Sequence, residues 1–160
     1  MHTTDLAAPL AGLLNELAYG ATEGEAFVLN PGDTGLLASL ERIDAVEASS
    51  TPTGGATIAA HVEHVRYGLW LMNRWARGEE NPFEGADWAA AWRVQEVNDD
   101  EWRARREALK LVIDEWHRVL ATPRDVQPIE VSGMLGSVIH LGYHLGAMRQ
   151  ISAAMRGPRA

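Results

Sequence analysis

The chain contains no cysteine in 160 residues. Disulfides, thiolate nucleophiles and thiolate metal sites are excluded together, so a metal bound here must rest on nitrogen and oxygen donors. Positive charge is in deficit: 14 Lys and Arg face 22 Asp and Glu, for a formal net charge of -8. No basic run offsets that deficit. Such a surface repels phosphate backbones and anionic headgroups, which argues against nucleic-acid and membrane partners. Long apolar runs are missing too, because Gly, His or a charge interrupts each one short of a membrane span. The opening Met1-His2-Thr3-Thr4-Asp5 lacks a basic region followed by an apolar one, so no signal peptide is read. The expectation is a soluble, cytoplasmic protein. Apolar residues make up 46% and charged residues 22%, which suits a single domain with one core over residues 1–160.

What is present is helical periodicity. Leu6, Leu10, Leu13, Leu14 and Leu17 recur at helix spacing, predicting a helix from Leu6 to Tyr19. Asp5 or Thr4 can cap its start and Gly20 can end it. Residues 21–33 hold Gly and Pro breakers and read as a connection. A weaker helix is expected over Thr34 to Val46. The run Ser49 to Gly55 is a break, after which Thr57 opens a strong helix to Ala76, closed by Gly78. Residues 78–98 read as a long linker carrying a short helical piece, Asp87 to Arg93, with Trp88 and Trp92 one turn apart. A third long helix is expected from Asp99 to about Ala121, and a fourth from a cap at Ser132 to about Met155. No segment alternates for long enough to form a sheet. Four long helices with one or two short extras describe an all-α helix bundle.

The chemistry-bearing residues are histidines. His140 and His144 stand one turn apart on the last helix, so their imidazoles point nearly the same way and can share one metal ion. Gly133, Ser137, Ala147 and Ile151 lie on the same side, which marks it as inward and roomy. The Thr57–Ala76 helix offers both His61 and His64. His61 shares its face with Ile58, Val65, Gly68, Met72 and Trp75, a core stripe. His64 lies about 60° away, towards the edge of that stripe. His61 is therefore the better inward ligand and His64 the better rim residue. Three neutral imidazoles from His61, His140 and His144 suit Zn²⁺, Ni²⁺ or Fe²⁺ and leave positions open for water or substrate. The plainer reading keeps these histidines as hydrogen-bonded core residues with no metal.

Other polar residues carry less. His117 and Arg118 point to an edge position, and His2 to a loose terminus. Trp75, Trp102 and Trp116 fall on apolar stripes, while Trp88 and Trp92 anchor the linker; a dimer contact is open to any of them. Glu63 is read as a solvent charge, and Tyr143 as turned to a neighbouring face. Tyr67 and Asn73 can reach the rim of the histidine site. Arg66 or Arg149 can meet a substrate carboxylate. No general acid or base is identified.

Thr57-Ile58-Ala59-Ala60-His61-Val62 resembles the start of the second helix in the DinB/YfiT-like family, and His140-Leu141-Gly142-Tyr143-His144-Leu145-Gly146 resembles that family's paired-histidine motif on its fourth helix. The order of helices agrees as well. The resemblance implies an up-down-down-up four-helix bundle, often a homodimer, and a three-histidine metal site that maps onto His61, His140 and His144. It implies an enzyme of thiol-dependent S-transferase or hydrolase type, using a divalent metal and a low-molecular-weight thiol on an unidentified small molecule. Relatives often carry His-Arg-Gly-Gln after the pair. Here the stretch is His144-Leu145-Gly146-Ala147, so a polar role at the last position does not carry over. The alternative is a non-catalytic metal or small-molecule binding module.

Overall fold

The computed structural model describes residues 1–22, 24, 26–52 and 54–158. Among these residues the chain forms seven α-helices and no strand: α1 (Thr4–Tyr19), α2 (Gly35–Glu41), α3 (Ala45–Ala48), α4 (Ile58–Ala76), α5 (Trp88–Trp92), α6 (Asp99–Ala121) and α7 (Pro128–Ile151), followed by a short 3-10 turn, Ala153–Met155. The chain is therefore all-α. Its four long helices close a ring, in which α1 and α4 each pack against both α6 and α7. Leu14, Leu17, Leu109, Ile113, Trp116, Met134 and Leu141 fill the space between them and are essentially solvent-free. Their burial is the main force holding the helices together. No helix is long and apolar enough to cross a membrane.

Three sequence expectations need correction. The Thr34–Val46 helix is two helices: the first ends at Glu41, and Asp44 caps the second by accepting a hydrogen bond from the Glu47 N–H. The last helix starts four residues before Ser132: the Glu130 carboxylate reaches back to accept from the Gln127 N–H at 2.7 Å, and Pro128 takes the first helical position, where its missing N–H costs nothing. The N-terminus is not loose. The Met1 ammonium donates to the Val126 carbonyl, His2 bridges Asp125, and the Thr3 N–H donates to the Arg124 carbonyl. The break before α4 includes Thr53, which lies outside the described residues.

α4 and α7 position the histidines. Thr57 caps α4 by accepting from the Ala60 N–H, which sets His61 in the first turn and His64 one turn further on. Trp116 on α6 fixes the rotation of α7 by donating from Nε1 to Ser137 Oγ at 2.8 Å, and Ser137 passes its own hydrogen to the Met134 carbonyl. Gly142 faces Leu17 of α1 on the far side of α7.

Candidate metal centre

Four histidines meet between α4 and α7. His64 Nε2 lies 3.1 Å from His140 Nε2, and His144 Nε2 lies 2.9 Å from the same atom. On its other edge, His144 Nδ1 lies 2.8 Å from His61 Nδ1. His61 thus meets His144 and His64 meets His140, so α4 and α7 run in opposite directions through the site. His144 is buried, and the other three are half-buried.

Hydrogen bonding alone does not satisfy this arrangement. A ring nitrogen carries either one hydrogen or one lone pair in its plane. His140 Nε2 can therefore bond one neighbouring nitrogen but not two. Three nitrogens held at about 2.0–2.1 Å from one tetrahedral ion stand roughly 3.3 Å apart, close to the separations here. One donor atom from each of His64, His140 and His144 falls within 4.8 Å of the others, and this group could hold a metal ion. His61 stands one step outside that group, against the far nitrogen of His144.

The environment keeps the rings neutral and their lone pairs free. Burial lowers the pKa of all four from the usual 6.5. His64 falls to about 4 through burial, then through repulsion from His140 and His61. His144 falls to about 3 through burial, then through repulsion from His140, His61 and His64. His64 Nδ1 is buried without a hydrogen-bond partner among the described residues.

Periodicity had put His64 on the rim, and the structure puts it inside. The signal was available: residues about 60° apart on one helix can both reach a partner helix whose own pair is spread over a full turn. The two tryptophans of α5, expected to anchor the linker or line a dimer contact, wall the cluster. Trp92 stacks on His64 with ring centroids 4.3 Å apart and meets His61 edge-on at 5.3 Å. Trp88 packs against His64 and Tyr67.

The remaining polar candidates are engaged elsewhere. Glu63 is not a free solvent charge, since it pairs with Arg66 at 2.6 Å and Arg105 at 2.8 Å. Arg149 is tied to the buried Asp33 at 2.8 Å. Asn73 is buried and donates to the Val112 carbonyl, joining α4 to α6. Tyr143 is 69% exposed, as expected of a neighbouring face. His117 is half-buried on α6 and takes no part in the cluster.

Comparison with protein-family models, with curated proteins and with solved structures finds no match. The chemistry has to be read from the site itself. A cavity of about 660 Å³ opens beside the cluster, bounded by His64 and His140 at one end. It follows the groove between α4 and α7 past Leu69, Met72 and Gly133 to Trp75, and the segment carrying Glu80, Phe83 and Trp88 covers it. Its volume is that of a small-molecule pocket.

Proposed function

We propose that this chain is a DinB/YfiT-like bundle protein in which His64, His140 and His144 bind one divalent metal ion, with His61 orienting His144. The observation that carries the reading is His140 Nε2 lying within 3.1 Å of two other imidazole nitrogens, a contact set that a cation satisfies and hydrogen bonds do not. With His144 Nε2 offering its lone pair, the ring hydrogen sits on Nδ1 and is donated to His61 Nδ1. That is the usual way a second residue fixes a ligand's tautomer and angle. All-nitrogen donors fit Zn²⁺, Ni²⁺ or Fe²⁺.

The activity proposed is that of a metal-dependent enzyme, a transferase or hydrolase acting on a small molecule with water or a low-molecular-weight thiol as nucleophile. Its support is the cavity touching His64 and His140, since a closed structural site has no need of one. When bound, the metal would supply Lewis acidity towards a substrate carbonyl or a nucleophile. The protein's share is to hold three neutral imidazoles, to exclude water with Trp88 and Trp92, and to seat the substrate along the groove. A non-catalytic binding module is the second reading. It is favoured by the cavity lining, in which, among the described residues, Glu80 is the only carboxylate and lies beyond the end of α4. The proposal includes a homodimer, supported by the outward face of α7, which exposes Ile129, Leu135, Ile139 and Tyr143 and no charged residue.

Elemental analysis of untagged protein tests the metal. The wild type should carry close to one equivalent, and His64→Ala, His140→Ala and His144→Ala should each lose it while keeping helical circular dichroism. His61→Ala should keep the metal but bind it about 10–100-fold more weakly. Complete loss of metal in His61→Ala with full retention in His64→Ala would exchange the roles of those two residues. A wild type that takes up no ion would leave four core histidines.

A further inference from the structure

The cavity beside the histidines has a chemical character of its own. Its walls are chiefly Leu69, Met72, Trp75, Phe83 and Trp88, and among the described residues no Lys or Arg lines it. Among the described residues Glu80 is its only charged lining residue. An anionic body placed there would lose part of its hydration, find no cation among the described lining residues and meet a carboxylate. Aromatic and apolar surface would instead be buried against indole and phenyl rings.

The dimensions are readable from the helices. His140 and Gly133 both line the cavity and lie two turns apart on α7, about 10 Å along the axis. Between them Gly136 also lines it, with nothing within 4 Å of where its Cβ would stand. Gly133 is tighter: a Cβ there would come within 2.8 Å of the Trp75 ring and 3.2 Å of the Met72 methyl. The two glycines therefore do different things. Gly133 lets Trp75 lie back against α7 and keeps the far end open, and Gly136 leaves the middle of the groove unfilled.

We infer that the ligand of this site is an elongated aromatic molecule about 10 Å long, bearing one metal-seeking group at the end that meets His64 and His140 and no anionic group along its body. The inference rests on the metal reading for that one end, and on the cavity alone for the rest. Trp75 and Trp88 offer the aromatic surface for that body, and the Glu80 carboxylate disfavours ligands that carry a carboxylate or phosphate on the far ring.

The test uses the full chain loaded with zinc and three hydroxamic acids of differing body. Binding of 2-naphthohydroxamic acid should exceed that of acetohydroxamic acid by about tenfold or more, since only the former buries aromatic surface. A carboxylate on the far ring of the naphthyl probe should remove most of that gain. Gly136→Leu, which fills open space, should weaken the naphthyl probe and leave acetohydroxamic acid and zinc content unchanged. Gly133→Ala should do the same by moving Trp75. Equal affinity for the naphthyl and methyl probes on zinc-loaded protein would overturn the inference and leave the metal reading intact. Failure to take up zinc would overturn the metal reading and the metal-seeking end with it. Quenching of tryptophan emission by 2-naphthol in that same sample would then decide the aromatic body, its absence overturning that as well.

Discussion

Glu16 shows how much one carboxylate can organise. It is buried on α1 and accepts hydrogen bonds from the backbone N–H groups of Phe27, Val28 and Leu29, the last at 2.7 Å. Burial raises its pKa, but the three N–H groups outweigh that and leave it below the usual 4.5. A depressed carboxylate pKa contributes stability that is present above 4.5 and is lost as pH falls through the folded-state value. Glu16→Gln should therefore lower stability at pH 7 by about 1–3 kcal/mol, the cost of weakening three charge-assisted bonds to a buried carboxylate. Urea denaturation followed against pH checks this, and the difference between wild type and variant should shrink in acid. At the same scale, the sequence made the paired His140 and His144 plain, because a fixed spacing on one helix needs no knowledge of the partner. Its ranking of His61 above His64 rested on one helix alone, whereas that choice depends on where α7 lies across α4. The acceptor role of Glu16 was illegible too: its partners are backbone groups of a connection, and backbone groups leave no mark in the sequence.

Among elements, the joint between α1 and α2 is the least forgiving. Gly20 ends α1 at φ +101° and Gly35 opens α2 at φ +74°, and the two backbones touch. A Cβ on Gly35 would stand 2.4 Å from the Gly20 nitrogen, and one on Gly20 would stand 2.3 Å from the Asp33 carbonyl oxygen. Gly35→Ala should cost about 3 kcal/mol or more, since neither the positive φ nor the backbone contact can relax cheaply. Gly12→Ala is the matched control. It lies inside α1 with nothing within 4 Å, so it should stabilise by about 0.5–1 kcal/mol. Thermal melts of the two variants should move in opposite directions. Gly20 was legible as a helix stop, while Gly35 fell inside an expected helix start with nothing local to mark it. The same contrast runs through the fold. α4 and α6 were found almost to the residue, because each has a cap, an apolar stripe and a terminating signal. The start of α7 was missed because its caps are Gln127 and Glu130, and glutamine is a weak sequence signal for a helix start. The tryptophans of α5 were placed on a helix correctly, but their contact with the histidines belongs to tertiary packing, which periodicity on a short element cannot supply.

For the molecule as a whole, α7 is the anomaly. A helix packed on one side of a monomer shows a polar face to water, and α7 does not. Its exposed positions are Pro128, Ile129, Ser132, Leu135, Gly136, Ile139, Tyr143, Gly146 and Gln150, without a charge among them. Ile139 is 70% exposed in a chain whose surface otherwise carries a formal net charge of -8. Two copies meeting through this face would bury apolar surface without stripping water from any ion, whereas contact through most other faces would bring like charges together. The helix has 24 residues and a length of about 36 Å, enough to seed an interface of the usual size for a stable dimer, about 800 Å² on each partner. Ile129 and Gly136 belong both to this face and to the cavity lining, so a second copy would border the cavity mouth. Sedimentation velocity across the micromolar range should accordingly report a dimer for the wild type. Ile139→Glu, at a position exposed in the single chain, should give a monomer of unchanged helical content, because an isologous contact would bring two copies of the new carboxylate to the same interface. A wild type that sediments as a monomer throughout would remove the dimer and leave the apolar face of α7 open to solvent.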